Sequence, residues 1–345
     1  MSSLSRRRVL FGGAAVGAGA LLTACTSNDT SNNAQVNTNS GNDNAQPGQK
    51  VVIGFSAPAA DHGWIGAITN NAKAQAGEYS DVELKLTEAG ADAATQRAAI
   101  STLIAEKPSI IVMLPYDGKE LNAAGIQAMQ AGIPVVNLDR AFPSPNAYRL
   151  QIKGDNYGMG LAAGTYIGQQ LKAKGVSSPV IGEIAGIDSL ELTQERSQGF
   201  KTALASFGFK VANRRAADFT VNGGQQAATD LLQALPQMDA LWNHDDDQGV
   251  GVLAAIDQAN RSEFFMVGGA GSKAAIDAIA KDDGVLKATV TYSPSMASSA
   301  ISLARLIAQG KGMSDLVELQ VPKEIMLSSE TITKENAAQY SKLGF

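Results

Sequence analysis

Asp139 and Arg140 stand side by side at the end of the apolar run Ile133-Pro134-Val135-Val136-Asn137-Leu138. A carboxylate accepts hydrogen bonds from neighbouring hydroxyls, and a guanidinium donates a planar fork. Together they suit an uncharged, polyhydroxylated ligand. The two charges could equally cap a strand and satisfy each other, because ion pairs at strand ends are common. Other clusters point to less. His244-Asp245-Asp246-Asp247 looks like a metal cluster but lacks the spacing and closing Glu of a calcium loop. With two histidines and one cysteine, a zinc site of the usual kind is not expected either. Gly158-Met159-Gly160-Leu161-Ala162-Ala163 fits a loose dinucleotide pattern. It falls inside a helical stretch, where small residues let helix and sheet approach closely. Gly271-Ser272-Lys273 lacks phosphate-loop spacing, and neither histidine has a recognisable nucleophile context. No catalytic set, metal or cofactor is expected.

The elements that must position Asp139 and Arg140 follow from hydrophobic periodicity. Val51–Phe55, Val82–Leu86, Ile110–Leu114 and Val135–Leu138 read as strands, separated by helical stretches at 64–76, 93–106 and 121–132. The all-apolar strand Ile110–Leu114 should be buried on both faces. The alternation then restarts. Strands are expected at Arg149–Ile152, Val180–Ile184, Phe209–Val211, Ala240–Trp242, Phe264–Gly268 and Leu286–Val290. Helices are expected at 155–171, 195–207, 224–235, 248–258, 272–280 and 296–309. Two such sets predict an α/β protein of two similar, doubly wound parallel-sheet lobes. Ligands of such sheets bind beyond the carboxyl ends of the strands, where Asp139 and Arg140 stand.

The chain has 345 residues, enough for two domains, and 44% hydrophobic residues, as a globular protein should. Its net charge of −5 argues against nucleic-acid binding. Residues 1–24 read as an export signal. Arg6-Arg7-Arg8 precedes an apolar run from Phe11 to Leu22, too short to span a bilayer. The paired arginines resemble a twin-arginine signal. Leu22-Thr23-Ala24-Cys25 resembles a bacterial lipobox, which implies lipidation of Cys25, the only cysteine. Residues 25–50 then form a tether. Dominated by Ser, Asn, Thr, Gln, Gly and Asp, they are expected to be disordered.

Several stretches together resemble the type I periplasmic sugar-binding proteins, in the ribose and galactofuranose branch. Val51–Phe55 and Asp61-His62-Gly63-Trp64 resemble the family's first strand and aromatic loop. Leu138-Asp139-Arg140 matches its Leu-Asp-Arg, and Gly154-Asp155-Asn156 resembles its Ser-Asp-Asn at the first crossing between lobes. Glu195-Arg196-Ser197-Gln198-Gly199-Phe200, Asn243–Asp247 and Ala288–Pro294 follow in the family's order and spacing. The resemblance implies a type I periplasmic-binding-protein fold with a three-strand hinge. It places the crossings near Lys153-Gly154, Tyr292-Ser293 and Val321-Pro322. The first lobe is then 51–153 with 293–321, and the second 154–292 with 322–345.

The resemblance also implies a ligand cleft with roles for named residues. Asp61, in the aromatic loop, and Tyr292, near the second crossing, would contact the ligand. Asp139 and Arg140 would bind hydroxyls from the first lobe, and Arg196 and Asp245 from the second. Trp64 and Phe219 would sandwich a sugar, whose C–H patches stack on aromatic faces. Two positions depart from the family: Ala270 replaces an Asp, and Tyr292 replaces a Gln near the second crossing. Arg196 could instead pair with Glu191 or Glu195 on a helix surface. The resemblance implies an extracytoplasmic, lipid-anchored solute-binding protein of an ABC importer, not an enzyme. Its partners would be a monosaccharide or sugar alcohol, a permease and, through Cys25, the membrane; a monomer is expected. A sugar sensor feeding a signalling receptor and an NAD-dependent enzyme are the alternatives.

Overall fold

The computed structural model describes residues 44–313, 320–342 and 344–345. The arginines of the expected export signal, Cys25 and the expected tether up to residue 43 lie outside the described residues. The first elements are β1 (Val51–Ala57), α1 (Gly63–Gly77), β2 (Val82–Glu88), α2 (Ala93–Ala105), β3 (Ile110–Met113), α3 (Gly118–Gln130), β4 (Val135–Leu138) and β5 (Leu150–Gly154). The second set is α4 (Asn156–Ala173), β6 (Ile181–Ala185), α5 (Glu191–Ser206), β7 (Val211–Ala216), α6 (Val221–Ala234), β8 (Ala240–Asn243), α7 (Asp246–Gln258), β9 (Phe265–Ala270), α8 (Lys273–Lys281) and β10 (Leu286–Thr291). The chain closes with α9 (Met296–Ala308), β11 (Glu324–Leu327), β12 (Thr331–Thr333) and α10 (Ala337–Tyr340).

The two sheets repeat one design. The first runs β2-β1-β3-β4-β5-β11 and the second β7-β6-β8-β9-β10-β12. Every pairing is parallel except β10 with β12. The doubly wound, two-lobed class expected from the alternation is therefore the one observed. β3 is buried along its whole length, as its apolar sequence demands. Several helices start on side-chain caps that satisfy their free N–H groups: Asp92, Asp117, Asp155, Thr220, Asp245 and Ser272. These caps also explain why α3 and α7 begin two or three residues earlier than apolar periodicity suggested.

Four expectations need correction. β7 lies at 211–216 rather than 209–211. Its Asn213-Arg214-Arg215 sit on an edge strand, where one face meets solvent and polar residues hide the strand signal. The edge strands β11 and β12 were not anticipated for the same reason: each is short and only partly buried. β11 pairs with β5 of the first sheet, so residues 324–327 belong there, and the last crossing falls at 328–330 rather than near Val321-Pro322. Finally, residues 44–48, within the stretch expected to be disordered, are held in place. Arg305 donates to the carbonyls of Asn44 (2.7 Å) and Gln46 (2.8 Å), and Asp81 accepts the Gly48 N–H.

The glycines of the loose dinucleotide pattern have a packing role. A Cβ on Gly160 would meet the Arg196 carbonyl oxygen at 2.0 Å, and one on Gly199 would meet that of Tyr157 at 2.0 Å. They let α4 and α5 approach each other, so the close contact is between two helices rather than helix and sheet. This contact fixes α5, and with it Arg196, against the start of α4.

Candidate ligand-binding site

The carboxyl ends of strands from both sheets face one another across a narrow cleft. From the first lobe come His62 and Trp64 after β1, and Asp139 and Arg140 after β4. From the second come Leu192 and Arg196 on α5, Phe219 after β7, Asp245 after β8 and Ala270 at the end of β9. Tyr292, after β10, stands where the chain leaves the second sheet. Ligands of open α/β sheets bind at this end of the strands, on the side to which the loops project.

The backbone is strained where it delivers these groups. Asp139 (φ 63°), Phe219 (φ 68°) and Ala270 (φ 89°) all adopt left-handed conformations. Non-glycine residues rarely do so, and the cost is accepted mainly where the surroundings over-determine a functional geometry. Phe219 is held by its N–H, which donates to Gln248 Oε1 at 3.0 Å. Its ring fits because position 186 is glycine: a Cβ there would lie 1.9 Å from the ring. Gly154 makes the same room for the Tyr292 ring, 2.1 Å from where its Cβ would stand.

The charged groups are buried and fixed. Arg140 donates to the Tyr116 carbonyl, and its Nε lies 4.0 Å from Asp139 Oδ2. Arg196 is 4% exposed, so it is no surface ion-pair partner. Its Nε donates to Asn156 Oδ1 (2.9 Å) and its Nη1 to the His244 carbonyl (3.2 Å). Its guanidinium lies 4.5 Å from the centre of the Tyr292 ring. The Tyr292 hydroxyl donates to Asp139 Oδ1 at 2.5 Å, joining the hinge to the first lobe. Burial, then the Asp139 charge, raises the phenol's pKa well above its ordinary value, so it remains a donor. The Trp64 indole N–H donates to the Tyr292 carbonyl at 2.9 Å. Burial pushes the Asp245 carboxyl up to about 6, while the neighbouring His62 opposes that shift.

Of the residues marked by sequence, Trp64, Asp139, Arg140, Arg196, Phe219, Asp245 and Tyr292 meet in this cleft. Asp61 does not: its side chain is 56% exposed and hydrogen bonds the ring of His62. His62 is the group that enters, and its ring stacks on Phe219 with centroids 6.0 Å apart. Burial of the ring opposes protonation. The bond to Asp61 and the charges of Asp245, Asp61 and Asp247 outweigh it, and the pKa rises. Sequence reasoning passed over His62 because it sought a nucleophile context rather than a ring beside an aromatic. It also missed Asn156, which accepts from Arg196 and donates to the Tyr292 hydroxyl at 3.3 Å.

A third missed residue, Asp247, joins the lobes. Its Oδ2 accepts the Trp64 N–H at 2.8 Å. His62, the residue preceding α1, makes no side-chain cap. Asp247 thus caps α1 from the opposite lobe, placing negative charge at a helix N-terminus. Asp247→Ala is expected to weaken ligand binding about tenfold, mainly through faster dissociation, as a charge-assisted bond between the lobes is lost. Stopped-flow tryptophan fluorescence checks this, and unchanged release rates would make the contact incidental.

Among the described residues no cluster suited to a metal ion is found, and no helix is long and apolar enough to cross a membrane. Asp246, the middle of the acidic run, instead accepts from the N–H groups of Gly269, Gly271 and Ser272 and from the Thr289 hydroxyl. It thereby holds the loop that presents Ala270.

Known proteins resemble this chain in sequence and in fold. The ribose import binding protein of Escherichia coli is 32% identical over 201 residues, which are 58% of this chain and 66% of that protein, just under two thirds of its length. A Mycobacterium smegmatis structure in complex with β-D-fucofuranose superposes with a TM-score of 0.76 at 26% identity, covering 84% of this chain and 93% of the other. The periplasmic binding component of the arabinose ABC transporter from a Shewanella species, bound to L-arabinofuranose, gives 0.74 at 25%, covering 84% and 94%. The model of the periplasmic binding protein domain matches residues 53–312. With three quarters of its length inside that match, the chain belongs to the periplasmic binding protein family.

Proposed function

We propose that this protein is the extracytoplasmic solute-binding component of an ABC importer, capturing a monosaccharide or sugar alcohol by closing its two lobes. One observation carries the reading. Asp139 and Arg140 from one lobe, and Arg196 and Asp245 from the other, converge on a cleft whose remaining walls are largely aromatic. Hydroxyls need charged partners at the edge of a sugar, and its C–H faces need rings. Closure sequesters both by a hinge motion. The named ligands of the related proteins, ribose, fucofuranose and arabinofuranose, support a sugar of this size. The Arg196-His244 and Tyr292-Asp139 bonds fix the orientations of cleft side chains, and side chains held in this way lose less entropy on binding.

A thermal-shift screen over pentoses, hexoses, deoxysugars and polyols tests the reading. A ligand at a hundred times its Kd should stabilise the protein by about 2.7 kcal/mol. A panel in which no carbohydrate raises the midpoint would sink it.

The anchoring scheme belongs to the same proposal. Lipid on Cys25 would hold the protein to the outer face of the membrane, the tether would give it reach, and the permease would receive the closed form. Cys25→Ala should move the protein from the membrane fraction into the soluble extracytoplasmic fraction. Retention at the membrane would count against lipidation.

A further inference from the structure

The cleft does not end at Asp139 and Arg140. A second chamber shares these two residues and Leu192 with the first and continues past them, still between the lobes. One wall is the start of α3 in the first lobe, and the other is the start of α5 in the second. Both walls are fixed by packing. A Cβ on Gly118 would meet the Ala141 carbonyl oxygen at 2.0 Å, so glycine lets α3 begin directly against the loop after β4. Asp117 caps that helix by accepting the N–H groups of Lys119 (2.7 Å) and Glu120 (3.0 Å). Across the cleft, Leu190 and Leu192 pack with Phe219, which ties the start of α5 to a ring of the first chamber.

The second chamber has its own chemistry. It adds Asp117, Lys119, Lys153, Glu191 and Glu195, none of which lines the first chamber. Among the described residues that line it, none is aromatic. With Asp139 and Arg140 included, four carboxylates face three cations. A cleft of one sign would draw a charged ligand, whereas this mixture nearly cancels. It offers donors and acceptors side by side, which is what a hydroxyl needs, since it both donates and accepts. Lys153 Nζ stands 3.9 Å from Glu195 Oε1, and both side chains are partly exposed, so the pair is loose enough to open around a ligand hydroxyl. Arg140, which lines both chambers, has a buried Nε without a hydrogen-bond partner.

We propose that the second chamber is a subsite for a second hydroxylated unit, so that the ligand is a two-unit carbohydrate. One sugar ring would sit among the aromatic rings and buried charges of the first chamber. A further sugar or polyol unit, linked past Asp139 and Arg140, would lie between the starts of α3 and α5. With no ring to stack on there, the second unit is held by its hydroxyls. This rests on the carbohydrate reading above and goes further by giving the ligand a second unit and a place for it.

Calorimetry on the full chain with matched sets tests it: D-galactose against galactosylglycerol and melibiose, D-glucose against glucosylglycerol and trehalose, and L-arabinose against arabinobiose. At least one two-unit ligand should bind about tenfold or more tighter than its single sugar, because its extra hydroxyls find charged partners. If single sugars bind and no two-unit ligand binds more tightly, the inference falls and the carbohydrate reading stands. If no sugar or polyol of either size binds, both fall. Lys119→Ala and Glu191→Gln alter exposed side chains of the second chamber alone, so the fold should survive them. Each should remove several-fold of the gain and leave affinity for the single sugar within about twofold. Loss of both affinities alike, or of neither, would overturn the placement of the second unit.

Discussion

Replacing Asp139 with alanine is expected to weaken ligand binding by at least about tenfold, or about 1.4 kcal/mol. The carboxylate is 4% exposed and lies beyond a strand of the first lobe, so a ligand hydroxyl donating to it has little water to compete with. Its removal has three further consequences. Arg140 Nε loses its nearest counter-charge, the Tyr292 hydroxyl loses its acceptor, and the left-handed turn at 139 passes to a residue less suited to it. Each acts on the binding geometry or on stability, so the experiment needs both readouts. Calorimetry should show the affinity loss while circular dichroism shows a folded protein. Unchanged affinity would remove Asp139 from the site.

The largest effect on stability is expected away from the cleft, at Arg305. This residue is 2% exposed and Asp81 3%, with Nη2 to Oδ2 at 2.6 Å and Nε to Oδ1 at 2.8 Å. The same guanidinium stacks 4.5 Å from the centre of the Tyr79 ring and holds the backbone of residues 44 and 46. Arg305→Met would leave the Asp81 carboxylate buried without its ion-pair partner, a change that costs about 3–5 kcal/mol in comparable pairs. Denaturant unfolding checks it, and a loss below about 1 kcal/mol would contradict the assignment.

The same pair predicts a pH dependence. The Arg305 hydrogen bond holds the Asp81 pKa well below the ordinary carboxylate value, and burial opposes that shift only partly. A carboxylate with a depressed folded pKa stabilises the fold in full above its unfolded pKa, near 4. That contribution is lost as pH falls further. Asp81→Asn should therefore flatten the acid limb of the stability curve. A wild-type and variant difference constant between pH 7 and 3 would show that Asp81 is not responsible.

The sequence by itself determined the class of fold and most of the cleft. Alternating apolar runs and helical stretches describe two parallel sheets because buried strands and amphipathic helices leave periodicities that survive without coordinates. Asp139, Arg140 and Asp245 were legible because they follow strands directly, and in such sheets chain position after a strand nearly dictates spatial position. The edge strands β7, β11 and β12 were not, since a half-exposed strand need not be apolar. Only the tertiary structure decided between neighbours such as Asp61 and His62, because one residue's difference at a helix start turns a side chain from solvent into the cleft. It alone showed that Asp247 caps a helix of the other lobe and that Arg305 clamps residues 44 and 46. These contacts join residues 183 and 261 positions apart, and their geometry depends on how the two lobes and the chain end are folded together.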